Sequence, residues 1–444
     1  MKKIKISIIS LGCARNLVDS ELMAGQLREE GFLICDDADG SEVAIINTCA
    51  FIEDAKREAI DVILKAAKLK KDGRIRKLIV CGCFSQRYSK ELERDIPEID
   101  AILGVDSFKN ITEAVETVLS DKNYKSINPP TVIYLDKYKR QIMTPTYYAY
   151  LKIAEGCNNR CSYCAIYKIR GNLRSRPIES ILREVKGITL KRNLSELNVI
   201  AQDTTSYGRD RYKRFALPKL LRKICALKKT HWVRLLYTHP KYFTDELIDV
   251  IAKEPSICKY IDIPIQHINN DILRRMNRKI TGEKIEALIK RIRKKIPNVG
   301  LRTSIIVGFP GETEKQFKEL YDFIKRTKFE RLGCFIYSKE EDTPAYNFKN
   351  QISTKVKEIR FDKIMHLQQK VSDSVNSTLL GENMEVLIEE KDSSQKGVYI
   401  ARTEYDAPEV DGQVYVHTKK TLKPGQFINV TITDTLEYDL IAKT

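Results

Sequence analysis

Cys157, Cys161 and Cys164 stand in the run Glu155-Gly156-Cys157-Asn158-Asn159-Arg160-Cys161-Ser162-Tyr163-Cys164. Three thiolates at this spacing on one short loop can each take one iron of a 4Fe–4S cube, which leaves the fourth iron without a protein ligand. An open iron is a reaction site. The plainer alternatives are buried thiols or a zinc site. Zinc is ordinarily held by four Cys or His side chains from paired knuckles, and no second Cys-x-x-Cys or His-x-x-His lies near this run.

The elements around these thiols follow from the apolar pattern. In the first stretch, Lys3 to Ser10 reads as a strand, Asp19 to Glu30 as a helix closed by Gly31, and Val43 to Asn47 as a strand; Glu53 to Leu69 is a helix and Leu78 to Cys81 a strand. That order predicts an α/β domain over residues 1–122 with a doubly wound parallel sheet. Cys13, Cys49 and Cys83 each fall just after one of its strands. In an open α/β sheet the carboxyl ends of the strands line one crevice, so three distant thiols converge and suggest a second cluster with an open iron. Ordinary buried thiols are the alternative, and Cys81 competes with Cys83 on spacing alone.

Residues 123–146, rich in Pro, Lys and Asn, read as a linker. Over 147–379 the β/α alternation resumes. Strands are expected near Tyr150–Ala154, Glu196–Ile200, Trp232–Leu236, Tyr260–Ile263, Leu301–Val307 and Arg331–Ile336, with helices such as Ile178–Lys191, Thr244–Lys253 and Glu283–Lys295 between them. Six units make a partial (β/α)6 barrel whose chemistry belongs at the carboxyl ends of the strands, where the Cys157 loop lies. Gly308 and Gly311, after the fifth of these strands, would let backbone approach a ligand closely. His267 reads as a structural histidine, with a catalytic role as the alternative. After a basic helix over Lys355–Ser377, residues 380–444 are β-branched with turns at Gly397, Asp411-Gly412 and Pro424-Gly425, which predicts a small antiparallel β-barrel of five strands. Cys35, Cys225, Cys258 and Cys334 lie in apolar elements and read as core.

Eleven cysteines in 444 residues without an export signal predict reduced thiols and a cytoplasmic protein. Lys5 interrupts the apolar start, which reads as a strand and not a leader. No run of 18 apolar residues is present to span a membrane. The formal charge of +17 invites a nucleic-acid or ribosome partner, with a lysine-rich solvated surface as the plainer reading. Its distribution is uneven: residues 380–444 carry 12 acids and 7 bases, a net of −5, which leaves +22 on residues 1–379.

The Cys157 run resembles the radical S-adenosylmethionine superfamily. Ser10-Leu11-Gly12-Cys13-Ala14-Arg15-Asn16-Leu17-Val18-Asp19-Ser20-Glu21, Ile46-Asn47-Thr48-Cys49-Ala50-Phe51-Ile52 and Gly82-Cys83-Phe84-Ser85-Gln86-Arg87-Tyr88 resemble the N-terminal domain of the methylthiotransferases within it. Ala201-Gln202-Asp203-Thr204-Thr205-Ser206-Tyr207-Gly208, Asp262-Ile263-Pro264-Ile265-Gln266-His267 and Arg302-Thr303-Ser304-Ile305-Ile306-Val307-Gly308-Phe309-Pro310-Gly311-Glu312 resemble the same family, and the tail resembles its TRAM domain. The resemblance covers essentially the whole chain. It implies two 4Fe–4S clusters, one on Cys157, Cys161 and Cys164 and an auxiliary one on Cys13, Cys49 and Cys83, since the family's Gly-Cys pair selects Cys83 over Cys81. It implies S-adenosyl-L-methionine as cofactor, with Tyr163 near the adenine, and Gln202, Gln266, Arg302 and Gly308 as cofactor or substrate contacts. One departure is Ala165-Ile166-Tyr167-Lys168, where the family commonly has a proline after the loop.

The family has two branches. One modifies an adenosine beside the tRNA anticodon; the other modifies the β-carbon of an aspartate in the twelfth protein of the small ribosomal subunit. The string Gly12-Cys13-Ala14-Arg15-Asn16, where the tRNA branch usually reads Gly-Cys-Gln-Met-Asn, and the tail string Asp406-Ala407-Pro408-Glu409-Val410-Asp411-Gly412 resemble the ribosomal-protein branch. A domain built to hold tRNA phosphates should be basic, whereas this acidic tail suits a basic protein, with simple solubility as the alternative. By family analogy one S-adenosylmethionine supplies a methyl group and another a 5'-deoxyadenosyl radical, with an external electron donor and sulfur source. The tRNA enzyme is the runner-up, and a non-enzymatic iron–sulfur protein that binds RNA or the ribosome is third.

Overall fold

Alternation of apolar residues along the first strands decides which helices cover which face. The computed structural model describes residues 4–444, so Lys3, the expected start of the first strand, lies outside the described residues. The N-terminal domain runs β1 (Lys5–Ser10), α1 (Ala14–Glu29), β2 (Leu33–Cys35), β3 (Val43–Thr48), α2 (Glu53–Lys71), β4 (Lys77–Gly82), α3 (Cys83–Asp95), β5 (Ala101–Leu103), α4 (Ile111–Leu119) and β6 (Tyr124–Ser126). All six strands are parallel in the order β2-β1-β3-β4-β5-β6. Ile6, Ile8, Ile45 and Ile79 pack with α1 and α4, while Ala44, Ile46, Leu78 and Val80 pack with α2 and α3. This period of two buries both faces of the sheet. The strand order reverses between β1 and β3, the place where a doubly wound sheet opens its crevice.

The segment 123–146, expected as a linker, begins as the edge strand β6, which pairs with β5 through Ala101–Leu103. Beyond it Tyr134 is buried, and Arg140 is ion-paired with Glu21 and Glu184, so this segment is packed against both domains.

The central domain contains β7 (Tyr148–Lys152), β8 (Ala154–Glu155), α5 (Ile166–Ile169), β9 (Arg174–Ser175), α6 (Ile178–Lys191), β10 (Glu196–Ile200), α7 (Leu217–Cys225), β11 (Trp232–Leu235), α8 (Asp245–Lys253), β12 (Tyr260–Asp262), α9 (Asn270–Arg275), α10 (Gly282–Lys295), β13 (Gly300–Val307), α11 (Glu314–Thr327), β14 (Arg331–Ile336) and α12 (Thr354–Asn376). Two parallel sheets, β7-β10-β11 and β12-β13-β14, are joined by a bridge from Val233 to Ile257. β14 and β7 share no ladder, so the barrel is partial. Leu151, Val199, Leu235, Ile261 and Ile305 point outward into the helical layer. The alternate residues Lys152, Asn198, Arg234, Asp262 and Arg302 therefore face the barrel interior, and Lys152, Asn198, Arg234 and Asp262 are buried.

Five strands, β15 (Asn383–Lys391), β16 (Val398–Thr403), β17 (Val414–His417), β18 (Phe427–Thr435) and β19 (Leu440–Lys443), close the C-terminal barrel in the order β15-β16-β17-β19-β18. Four pairings are antiparallel, but β17 and β19 are parallel. The purely antiparallel expectation is corrected there. This barrel docks on the amino ends of the central strands. Glu196 binds Arg234 at 2.6 Å and Arg402 at 2.5 Å, Arg331 binds Asp406 at 2.6 Å, and Phe427 stacks edge-on to Trp232. The carboxyl ends face the N-terminal domain, where Arg15 reaches Ala201 O and Arg87 pairs with Glu340. Among the described residues no helix is long and apolar enough to cross a membrane.

Candidate functional site

β7 and β8 carry the chain to Gly156, whose φ of +76° turns it into the Cys157–Cys164 loop. A Cβ on Gly156 would collide with the carbonyl of Asn172, so only glycine lets the loop pass here. The loop is pinned on all sides. The amide of Cys157 donates to Gly171 O (3.1 Å), Ser162 donates through N to Met276 O (3.0 Å) and through Oγ to Arg275 O (2.7 Å), and Asn277 Nδ2 donates to Arg160 O (2.7 Å). Asn159 Nδ2 donates to Asp203 Oδ2 (2.7 Å), and Asp203 also accepts from the Ser206 and Thr205 hydroxyls. The Ala201–Gly208 string therefore supports the cysteine loop.

The three thiols of the loop interact electrostatically. Burial, then the nearby Asp203 carboxylate, pushes the Cys157 thiol up to about 12, and burial with its two neighbours also raises Cys164. Arg278 Nη1 lies 3.7 Å from Cys161 Sγ and 3.5 Å from the Tyr163 hydroxyl. Tyr163 packs beside Ile272, Met276 and Phe309.

Cys13 caps α1, Cys49 follows β3 and Cys83 opens α3, so the three come from the adjacent strands β1, β3 and β4. Burial, Cys83 and Cys13 together push the Cys49 thiol up to about 12. Burial opposes ionisation of Cys13, but the guanidinium groups of Arg15 and Arg170 outweigh it and leave this thiol below its ordinary range. Gly12, at φ +85°, passes so close to Cys49 that an added Cβ would lie 2.6 Å from its Cβ and 2.8 Å from its Sγ. Asn16 stitches the two loops, its Nδ2 donating to Leu11 O (2.8 Å) and Asn47 O (3.1 Å). Cys81 points the other way, with its sulfur 3.9 Å from Met23 Sδ in the core under α1.

Both donor sets fit an iron–sulfur cube. Crowded, buried thiols repel one another once deprotonated, and iron charge is what offsets that repulsion. Among the described residues no three Cys, His, Asp or Glu side chains are grouped to hold one ion; a cube assigns each thiolate its own iron and so seats its ligands farther apart.

Arg170 links the two triads, and nothing in the sequence pattern had singled it out. Its Nε lies 3.4 Å from Cys83 Sγ, its Nη1 donates to Asp19 (2.7 Å) and Glu155 (3.3 Å), and its Nη2 donates to Asn16 Oδ1 (3.0 Å). Lys152 completes the cluster with ion pairs to Asp19 and Glu155. Burial opposes the Glu155 charge, yet Lys152 and Arg170 hold its carboxyl well below the usual range. The available sequence signal was Asp19, an acid in a helix buried continuously over Val18–Gly25, which had to meet a cation.

Of the other expected contacts, Gln202 Nε2 donates to Glu155 and its Oε1 is buried without a partner. Gln266 takes φ +70° and bridges Ser304 and Ile306 through its backbone. One expectation is corrected. Arg302 is held by Asp262 and Asp411, both at 3.2 Å, facing the C-terminal barrel and not the cysteine loop. A Cβ on Gly308 would collide with the Lys357 side chain and one on Gly311 with the Arg275 guanidinium, both at positive φ. His267 is structural: its Nδ1 accepts from Asn269 N (3.0 Å), so Nε2 donates to Glu312 (3.2 Å).

A parallel-sheet domain joined to a partial β/α barrel, with two convergent thiol triads and a terminal small barrel, defines a radical S-adenosylmethionine enzyme with two iron–sulfur clusters. Residues 151–324 match the Radical SAM superfamily, residues 5–104 the Uncharacterized protein family UPF0004, and residues 380–444 the TRAM domain. A relative named ribosomal protein uS12 methylthiotransferase RimO from Desulforamulus reducens is 48% identical over 439 residues, covering 99% of both chains. Relatives of the same name from Clostridioides difficile and Geobacter sulfurreducens are 48% and 44% identical, each covering 99% of this chain and 98% of the relative. The chain belongs to the uS12 methylthiotransferase family of radical S-adenosylmethionine enzymes. A solved radical S-adenosylmethionine methyltransferase, TsrM from Kitasatospora setae, shares the fold with a TM-score of 0.56 at 15% identity, covering 78% of this chain and 77% of that one.

Proposed function

We propose that this chain methylthiolates the β-carbon of an aspartate in ribosomal protein uS12. The observation that carries the reading is likeness over the whole chain, at 44–48% identity, to relatives named for that reaction. An aspartate β-C–H is not acidic enough for an ordinary side-chain base, so its replacement by sulfur calls for a radical. A cluster held by Cys157, Cys161 and Cys164 with S-adenosylmethionine would supply the radical chemistry that removes that hydrogen, and one held by Cys13, Cys49 and Cys83 would supply the sulfur.

In this reading Cys157, Cys161 and Cys164 hold the cluster that engages S-adenosylmethionine, and Cys13, Cys49 and Cys83 hold the auxiliary one. Tyr163, Gln202 and Gln266 line the same end of the barrel as the first triad. Arg170 and Glu155 fix one triad against the other in a buried ion-pair cluster, which keeps the spacing of the two sites rigid. The net charge of −5 on residues 380–444 favours a basic protein partner. Electrons and sulfur come from outside the chain, and the reaction belongs in the cytoplasm with the ribosome.

Mass spectrometry of uS12 from cells with and without this gene tests the reading. The methylthio increment on an aspartate should vanish with the gene. An unchanged increment would reject it and direct attention to tRNA nucleosides, the product of the family's other branch.

A further inference from the structure

Arg170, Arg302 and Arg278 all stand at the two thiol triads or in the barrel interior beside them. Arg170 is divided among Cys83, Asp19, Glu155 and Asn16. Arg302 is held by Asp262 and Asp411. Arg278 is 5% exposed and directed at Cys161, Tyr163 and the carbonyl of Pro264.

Arg15 is both part-exposed and, among the described residues, without a carboxylate partner, a combination these three lack, since Arg170 and Arg302 are paired with acids and Arg278 is buried. It is half-buried, its Nη1 donates to Ala201 O at 3.1 Å, and its guanidinium carbon lies 4.3 Å from the centroid of the Tyr237 ring. Among the described residues no carboxylate pairs with it; the groups that favour its charge are Cys13 and Tyr237. It stands in the first turn of α1, a turn with no acidic residue, where the helix dipole adds to its positive field and disfavours a cation. An arginine kept there against the dipole, with the Cys13 thiol as its anionic neighbour and no carboxylate, is poised for an anion from outside the chain.

Its place matches the substrate. Arg15 follows the auxiliary thiol Cys13 by two residues, and its anchor, Ala201, follows β10 beside Gln202, which reaches the cysteine loop through Glu155. We infer that Arg15 binds the side-chain carboxylate of the aspartate that is modified, a role that rests on the uS12 reading above. The carboxylate is one bond from the β-carbon, so a two-pronged contact with the guanidinium fixes the reacting carbon next to Cys13. Such an anchor also rejects the neutral amide analogue, because asparagine would place an N–H donor against a guanidinium that has only donors.

The test compares binding of uS12 and its variant carrying asparagine at the modified aspartate, by fluorescence anisotropy, to anaerobically prepared enzyme with both clusters and S-adenosylmethionine. Wild type should prefer the aspartate form by about ten- to a hundredfold, the value of a charged hydrogen-bonded contact. Arg15→Met should bind the aspartate form as weakly as the asparagine form, and leave the latter within about twofold of wild type. Arg15→Lys keeps the charge and should retain part of the preference. Equal weakening of both forms, or a wild type that binds both alike, would overturn the assignment. Loss of half the iron from Arg15→Met would also overturn it, by showing that Arg15 serves the cluster. If wild type leaves the aspartate unmodified, the uS12 reading itself fails and this assignment with it.

Discussion

Two residues of spacing separate a thiol that can meet other thiols from one that cannot. Cys81 is inside β4 and faces Met23 in the core, whereas Cys83 opens α3 at the crevice beside Arg170. Cys83→Ala should therefore lower the iron of anaerobically prepared protein from about eight to about four per chain, while Cys81→Ala should keep it. Cys81→Ala should instead lose about 1–2 kcal/mol of unfolding stability, the cost of removing a buried group from a packed core. Iron analysis and a denaturant titration on the two variants distinguish the roles. Whereas Cys49, after Thr48, has only the strand before it, Cys13 and Cys83 were legible in the sequence because a thiol after a strand, preceded by glycine, leaves a local mark. Arg170 was not, because its partners Asp19, Glu155 and Cys83 come from three distant segments and nothing local distinguishes it from a surface arginine.

An element delivers its functional residue only if its end has the right shape. Gly82, between β4 and α3, has φ +96° and ψ −153°, a region essentially closed to side chains, and a Cβ there would lie 2.7 Å from Thr48 O. Gly82→Ala should cost at least about 2 kcal/mol of stability and displace Cys83. The expected result is a lower denaturation midpoint together with reduced iron, whereas Gly187→Ala, in open space within α6, should be neutral or stabilising. Many strands and helices of the two α/β domains were readable from their periods, for example α6, whose buried Ile181, Val185 and Ile188 recur at helical spacing, whereas β2, α3, β5 and α4 were not. What the period could not reveal is how ends meet. The parallel pairing of β17 with β19 depends on where the chain returns to close a barrel, and β6 is a three-residue edge strand too short to carry a pattern.

At the scale of the whole molecule, the C-terminal barrel is held to the central one by charges that neither part could bury alone. Glu196 is fully buried between Arg234 and Arg402, which come from the two different domains. Burial opposes its charge, but Arg402 and Arg234 overcome that and hold its carboxyl below the usual glutamate range. Replacing one member of a buried ionic group leaves the others uncompensated, so Glu196→Gln should lose about 3–5 kcal/mol and loosen the joint. The connection near Ser377–Leu380 should then become sensitive to protease. The surface pair Arg183–Asp136 serves as the control, and breaking it should leave that connection resistant to protease. The sign of the pH dependence follows from the lowered pKa. The contribution of Glu196 is complete above its unfolded value of about 4.3 and is lost as pH falls through the lower folded value. Denaturation midpoints measured from pH 7 down to pH 3 should therefore fall more steeply for wild type than for Glu196→Gln. Parallel curves would mean that the two barrels are joined mainly by the apolar contact of Trp232 with Phe427.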